Sequence, residues 1–521
     1  MNASRRELGI ALALVALLAA TSFVRPIFPV DETRYVGVAW EMWQRGDFLV
    51  PYQNGVPYSH KPPLYFWLMH AGWALFGVNE WWPRVIPGLF AAAGVVLVRR
   101  LAALLWPGEQ AVAEIAPLVL AALVLWDYFV GAIMFDMMLA SFVLLGYVGI
   151  AKAWRERTRT GWALFAIGLG GALFSKGPVA LLHLLPVALF APLWARDDRP
   201  RWGWWYGGTL AGVLGGAAII LAWAVPAAVF GGEVYRNAIF VGQTTGRVAS
   251  SFAHKKPLWY YLPFLPIVLA PWLIWPRFWR GARIAGVSDS GSRFALVGMF
   301  AALIGFSFIS GKQVQYLLPE FALFAALAAR FLAASGNVRK RWDIAVPAAV
   351  LLLTGIAAAA GARRVADQLA HSSGTPLVVA GILVALVGVA LLAMPTRDVR
   401  GEVAKLAAGS ALAIAVLIAG GVLAIRPAYD LHPIATRLKA LEQQGVPTAN
   451  EDKYHGQYDF IGRLTRPLVV VPEPEVADWL AKTPDGKAVV YYRKEPYDGP
   501  GKVELSQPYR GGYAAIVGSG R

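Results

Sequence analysis

The sequence contains no cysteine. That absence removes disulfides, thiolate metal sites and cysteine nucleophiles together. Charge is scarce as well: Asp, Glu, Lys and Arg make up 15% of the 521 residues, where a soluble domain carries about 25%. Hydrophobic residues reach 57%, on a chain much longer than the roughly 250 to 300 residues at which one core stops growing. A soluble globular protein is excluded. Solenoid-type repeats and low-complexity stretches are missing too, so any chemistry falls to carboxylates, lysine, arginine, histidine and tyrosine.

What is present is a succession of long apolar runs. A spanning helix needs about 20 mostly apolar residues, and thirteen runs are read as spans: 8–24, 83–105, 111–126, 133–151, 161–175, 178–194, 203–228, 258–275, 294–309, 314–333, 344–361, 376–394 and 404–425. The expected fold is a polytopic α-helical membrane protein of about thirteen transmembrane helices. The formal charge is +16, from 48 basic and 32 acidic residues. In a soluble protein that excess would suggest nucleic acid. Here it concentrates in alternate gaps, at Arg99 and Arg100, Lys152 to Arg159, Arg196 to Arg201, Arg277 to Arg293, Arg339 to Arg341, and Arg397 to Lys405. By the positive-inside rule those gaps and the N-terminus face the cytoplasm. No nucleic-acid partner is expected. The first run follows Arg5 and Arg6 like a signal peptide, but it lacks a convincing small-residue cleavage site and further spans follow, so an uncleaved anchor is expected.

Three segments then fall on the outer side: the loop 25–82, the loop 229–257, and the polar tail 426–521. The chain thus divides into a transmembrane domain, 1–425, and a soluble domain, 426–521. The tail has helical patterns at 433–444 and 474–482 and strand-like runs at 468–471, 488–492 and 513–517, which predicts a small α/β domain. In the first loop, Thr33 to Arg45 places Val36, Trp40 and Trp43 on one helical face. Pro62 and Pro63 open a second helical run through Trp73 and Phe76. Aromatic helices of this kind suit a headgroup boundary, and anchoring the loop is one reading of them.

The charges beside them offer another. Asp31 and Glu32 directly follow the first span, Lys61 precedes the second surface helix, and Asp136 stands inside the run Ile133 to Leu139. Charges so close to hydrocarbon are usually paired or functional. Asp31 could also cap its helix, Asp136 could bond a neighbouring helix, and Lys176 or Lys312 could snorkel. Yet Asp31, Glu32, Lys61, Asp136, Lys176, Arg247, His254, Lys312 and Tyr316 all fall on the outer face of a topology set by other residues. That is the pattern of one polar cavity whose cations handle a phosphate while its acids attend to something else.

These residues also carry a resemblance. Asp31-Glu32-Thr33-Arg34-Tyr35, Gly46-Asp47, Val50-Pro51, Tyr58-Ser59-His60-Lys61-Pro62-Pro63, Phe135-Asp136, Phe174-Ser175-Lys176-Gly177, His254-Lys255-Lys256-Pro257 and Gly311-Lys312 with Tyr316 resemble the bacterial aminoarabinose transferases that modify lipid A. Those belong to the C-type glycosyltransferases, in the superfamily of protein O-mannosyltransferases. The likeness spans about residues 8–335, and Gly37 and His60 stand where the family usually has glutamate. It implies a C-type glycosyltransferase fold in the bacterial inner membrane, with the active site and the C-terminal domain periplasmic. The implied reaction moves aminoarabinose or a related amino sugar from undecaprenyl phosphate to a lipid A phosphate. Asp31 and Asp136 would be the catalytic carboxylates with Glu32 beside them, and Lys61 would bind the donor phosphate. Arg247 and Lys312 would be further phosphate contacts, Tyr35, Tyr58 and Tyr316 would line the cavity, and Arg34, Lys176 and His254 would contact substrate. No cofactor is required by this reading; Asp31 and Glu32 could take a divalent metal, but lysines already serve the phosphate. Transfer to protein or to another envelope glycan is the enzyme alternative. A lipid-linked sugar transporter is the other, though such proteins tend to show internal repeats and helices broken at mid-membrane.

Overall fold

The computed structural model describes residues 3–240, 256–337 and 340–519. Among them ten helices are long and apolar enough to cross a membrane, and eleven if the pair Gln110–Leu120 and Val124–Val130, bent by 63°, counts as one span. In chain order, α1 is Ala3–Ala20, α2 Asp31–Arg45, α3 Leu64–Phe76, α4 Trp81–Leu105, α5 Gln110–Leu120, α6 Val124–Val130, α7 Phe135–Glu156, α8 Arg159–Lys176, α9 Ala180–Leu189, α10 Ala191–Trp194 and α11 Trp202–Phe230. The long apolar helices that follow are Ser290–Phe308, Phe321–Ala334, Arg341–Ala370, Thr375–Ala393 and Val399–Ile425.

This count is lower than the thirteen expected, for two local reasons. Between Pro257 and Pro271 four prolines remove backbone donors, so the expected span 258–275 is only a 3-10 turn, Leu262–Phe264, and one helical turn, Leu265–Val268. The expected spans 161–175 and 178–194 join through a 3-10 turn at Gly177–Val179, where Gly177 takes a φ of 71° that few other residues adopt.

Side-chain ties show which ends lie together. α7 has 22 residues, about 33 Å of rise, enough to cross the hydrocarbon. At its start, Asp136 accepts from Lys176 Nζ at 2.6 Å; at its far end, Arg157 holds Asp198 at 2.5 Å and Trp154 Nε1 donates to the Asp198 carbonyl at 2.8 Å. The chain from Lys176 to Asp198 therefore runs the whole length of α7. The segment 256–277 does the same: Lys312 Nζ donates to the Lys256 carbonyl at 2.9 Å, and at the other end Arg277 is buried against Glu402 and Ser335.

The first loop carries α2, a two-stranded hairpin of β1 (Tyr52–Gln53) and β2 (Val56–Pro57), and α3. Asn54 and Gly55 both have positive φ, the backbone that a two-residue hairpin needs. A shared core of Val36, Val38, Tyr65, Phe66, Met69 and Phe135 packs α2 and α3 onto the start of α7.

The tail forms a five-stranded sheet of β3 (Thr448–Glu451), β4 (Val469–Val471), β5 (Lys487–Tyr492), β6 (Lys502–Tyr509) and β7 (Gly512–Gly518), in the order β4-β3-β5-β7-β6. β3 runs parallel to β4 and β5, and β7 antiparallel to β5 and β6. Three strands fall on the apolar runs of the sequence; β3 is too short and β6 too exposed to show such a pattern. The sheet domain rests on the first loop. Trp40 Nε1 and Gln44 Nε2 both donate to the Leu464 carbonyl at 2.8 Å, Asn54 exchanges two bonds with the Leu468 backbone, and Phe460 stacks on Trp73 with ring centroids 5.1 Å apart.

Candidate active site

Asp31 is the first residue of α2, and its side chain does not cap the helix. It pairs instead with Arg34 at 3.1 Å and stays about half exposed. Its neighbour faces the other way. Glu32 is buried, with Oε1 accepting from Arg25 at 2.6 Å and from the Ile133 amide at 3.1 Å, and Oε2 accepting from the Phe28 amide at 3.0 Å. Both oxygens are committed to fastening the loop onto the turn before α7, a turn that Arg25 also holds through the Gly131 carbonyl.

One turn along α2 from Asp31, on the same face, Tyr35 packs edge-on to Phe135 with centroids 4.9 Å apart. Burial first, then the fields of Tyr58, Asp31 and Asp136, hold its phenol well above the ordinary tyrosine range. Lys61 Nζ stands 5.9 Å from the centre of the Tyr35 ring, a cation over an aromatic face. Tyr58 is buried beside it, with His60 against its ring at 5.1 Å.

Behind Phe135, Asp136 is 1% exposed and bound to Lys176 through one oxygen; its Oδ2 has no hydrogen-bond partner among the described residues. Lys176 lies 5.4 Å from the centre of the Tyr316 ring. The chain of contacts thus runs from Lys61 through Tyr35 to Phe135, the neighbour of Asp136, and on from Asp136 through Lys176 to Tyr316. Lys312 stands four residues before Tyr316, just ahead of the 3-10 turn that carries it, buried and bonded to the Lys256 carbonyl. Arg247 and His254 lie outside the described residues.

Two neighbours escaped the sequence reading. Tyr65 of α3 is buried 4.9 Å from Phe135, with its hydroxyl unpartnered among the described residues. Burial, then Glu32 and Asp136, raise its phenol well above the usual range. An aromatic within an aromatic-rich run gives no signal of its own. His455, from the sheet domain, is held below its ordinary value by burial and then by Arg34, while Asp31 acts in the opposite sense, which places it near the exposed ion pair. A single histidine in a polar tail is equally silent in sequence. Among the described residues no group of three or more His, Asp or Glu is arranged to hold a metal.

The arrangement is therefore an aromatic-walled polar cluster, with Asp31 paired to Arg34 and Asp136 to Lys176, at one end of a helical bundle. Comparison with known proteins gives it a context. The family model for dolichyl-phosphate-mannose-protein mannosyltransferases matches residues 60–223. The undecaprenyl phosphate-alpha-4-amino-4-deoxy-L-arabinose arabinosyl transferase of Pectobacterium atrosepticum is 30% identical over 414 residues, 76% of this chain and 72% of that protein. The protein of the same description from Yersinia pestis is 28% identical over 367 residues, 68% of this chain and 63% of its own length. The match thus spans just under two thirds of the Yersinia relative.

Among solved structures, ArnT from Cupriavidus metallidurans bound to undecaprenyl phosphate superposes with a TM-score of 0.79 at 20% identity, covering 97% of both chains. The Archaeoglobus fulgidus oligosaccharyltransferase in its apo form gives 0.52 at 12% identity, over 93% of this chain and 69% of that one. Those identities speak for the shared multi-pass fold, and the Pectobacterium relative speaks for the family. The chain belongs to the family of undecaprenyl phosphate-4-amino-4-deoxy-L-arabinose arabinosyl transferases.

Proposed function

We propose that the protein transfers 4-amino-4-deoxy-L-arabinose, or a closely related amino sugar, from undecaprenyl phosphate to a phosphate of lipid A at the periplasmic face of the bacterial inner membrane. The observation that carries the reading is the run of contacts from Lys61 over Tyr35 to Phe135, the chain neighbour of Asp136, and from Asp136 through Lys176 to Tyr316, which gathers cations and carboxylates at one end of the bundle. In the reaction the bond between the anomeric carbon and the donor phosphate oxygen breaks, and the electron pair leaves with that oxygen. Lysine stabilises the growing charge through charge-assisted hydrogen bonds. Lys61 and Lys312 serve the donor phosphate, together with Arg247 from the second outer loop. An acceptor phosphate is already ionised and needs no general base. Asp31, half exposed, is free to orient the acceptor or the cationic sugar and to offset positive character at the anomeric carbon. Asp136 holds Lys176 and turns its second oxygen to the same task. Glu32, which the sequence groups with the catalytic acids, acts instead as a positioning residue through Arg25 and Ile133. Tyr35, Tyr58 and Tyr316 line the cavity, with Arg34 and His254 at its substrate contacts.

The same reading takes the chain across the membrane thirteen times, with Lys176–Asp198 and 256–277 as separate crossings because each is tied at both ends of the bundle. The cations at the end marked by Arg157 support a cytoplasmic position for that end in this reading. No metal is required, and transfer is expected to continue in EDTA.

The test is transfer from a radiolabelled polyprenyl-phosphate sugar in membranes carrying Asp31→Asn or Lys61→Ala. Losing one such contact should lower turnover on the order of 100- to 1,000-fold. Undiminished transfer by both variants would overturn the site, and label in polypeptide rather than lipid A would overturn the acceptor.

A further inference from the structure

Midway along the bundle, three buried side chains outside the proposed mechanism meet from α7, α9 and the turn before the helix Phe321–Ala334. Tyr147 stands eleven residues after Asp136 on α7, about 16 Å further into the bundle by helical rise. Its hydroxyl is 2.9 Å from the His183 carbonyl on α9 and 3.2 Å from Glu320 Oε1. His183 Nδ1 and that same Glu320 oxygen lie 2.7 Å apart. His183 and Glu320 are 1% and 4% exposed. Their remaining polar atoms, Nε2 and Oε2, have no hydrogen-bond partner among the described residues.

Ionisable side chains at such depth are expensive, and they usually serve a function. Fastening three elements together would account for the bonds alone, but two links run from the pair to the active site. Glu320 is the last residue of the 3-10 turn Val314–Glu320, whose third residue is Tyr316. Four residues of that turn rise only about 8 Å, so a hold on Glu320 is a hold on the Tyr316 backbone. The other link is made of rings. His183 packs on Phe306 with centroids 5.0 Å apart, and Phe306 packs on Tyr316 at 5.7 Å. Beyond the Tyr316 ring stands Lys176, 5.4 Å from its centre and bonded to Asp136. Tyr316 is thus supported through its backbone and through its ring, and both supports end on the His183–Glu320 pair.

We infer that Glu320, anchored by His183 and Tyr147, is a positioning residue for sugar transfer, which fixes the 3-10 turn and so sets where Tyr316 stands beside Lys176. The inference rests on the proposed function, because it gives Tyr316 a place in the cavity where transfer occurs. Glu320 itself touches none of the reacting groups. It acts by holding a wall of the cavity still, and a misplacement of about 1 Å caused far from the chemistry can cost on the order of 100-fold in rate. Glutamine at this position keeps the length of the side chain and an oxygen for His183 Nδ1–H, whereas alanine removes both.

Two measurements on the purified full chain in one detergent test it. Hydrogen exchange of the segment 312–320 reads the turn directly: Glu320→Ala should speed it about tenfold, and Glu320→Gln should leave it nearly unchanged. Transfer from a radiolabelled polyprenyl-phosphate sugar, per mole of monodisperse protein, reads the consequence. Glu320→Ala should lower kcat about 10- to 100-fold, and Glu320→Gln should restore most of it. In a Tyr316→Ala background no ring is left to position, so adding Glu320→Ala should cost less than about threefold more. A merely structural tie would instead multiply the two losses. Where Glu320→Ala does not fold, His183→Phe removes the pair, keeps a ring against Phe306 and should give the same results. Unchanged exchange, multiplied losses, or Glu320→Gln as impaired as Glu320→Ala would overturn the inference. A wild type that transfers no label would overturn the proposed function instead; faster exchange in Glu320→Ala would then still support the pair as what fixes the turn, and unchanged exchange would overturn it.

Discussion

Replacing Lys176 by methionine keeps the reach of the side chain and removes its charge. Its ammonium lies 2.6 Å from Asp136, with the two side chains 14% and 1% exposed. Removing one partner from a buried pair costs about 3–5 kcal/mol, because the other charge is left without compensation. Nothing nearby takes over, since the second Asp136 oxygen has no hydrogen-bond partner among the described residues. Lys176→Met should therefore lower stability by about 3–5 kcal/mol. Adding Asp136→Asn should recover most of that, because a neutral pair of similar volume is often no worse than the ion pair it replaces. Activity should behave differently. If the cation and carboxylate take part in transfer, the double variant stays reduced on the order of 100- to 1,000-fold while its stability returns. Unfolding midpoints of the four species in one detergent give the coupling energy, and initial rates of sugar transfer on the same preparations give the activity. A single variant that loses less than about 1 kcal/mol, as an exposed pair would, refutes the burial argument. A double variant as active as the wild type refutes the catalytic one.

Three further outcomes are expected where the sheet domain meets the first loop. A Cβ on Gly37 would meet the Gly456 carbonyl oxygen at 2.9 Å, so Gly37→Glu should push the 454–459 turn off α2, costing about 1–3 kcal/mol; unchanged hydrogen exchange in that turn would contradict the contact. His432 is raised to about 9 by Asp430 and then Glu80, and Asp430 is lowered to about 2 by His432. The histidine's contribution is complete below 6.5 and lost as pH rises through about 9, and the aspartate's is complete above 3.8 and lost as pH falls through about 2. The pair's own contribution to the tail's resistance to proteolysis is thus complete between pH 3.8 and 6.5, and His432→Ala should remove the part of the cleavage profile that rises toward pH 9. Burial lifts Asp459 to about 7. Its folded state prefers the proton, so stability should fall by up to about 1.4 kcal/mol per pH unit from 3.8 to about 7 and level off above. Asp459→Asn should flatten that profile in pH-dependent melting; a wild-type profile already flat would count against it.

How far the site could be read in advance differs from residue to residue. Asp136 and Lys176 each stand out as a charge within an apolar run, and Lys61 as a cation before two prolines. Their neighbourhood does not. Asp136 and Lys176 are 40 positions apart, and only the hairpin of α7 and α8 brings them together. Glu32 shows the reverse: beside Asp31 it reads as a second catalytic acid, yet helical geometry points successive side chains about 100° apart, which turns Glu32 inward to Arg25 while Asp31 stays at the surface. Tyr65 and His455 carry no local mark at all.

The sequence by itself determined the membrane class, the orientation bias, the absence of thiol chemistry and the places where charge interrupts hydrocarbon. All of these are local properties, summed over windows of about 20 residues. The tertiary structure decided which of those charges meet, which carboxylate is consumed in holding the loop, and where prolines dissolve an apolar run into short turns. Those outcomes rest on contacts between residues far apart in the chain, and no window of sequence contains both partners.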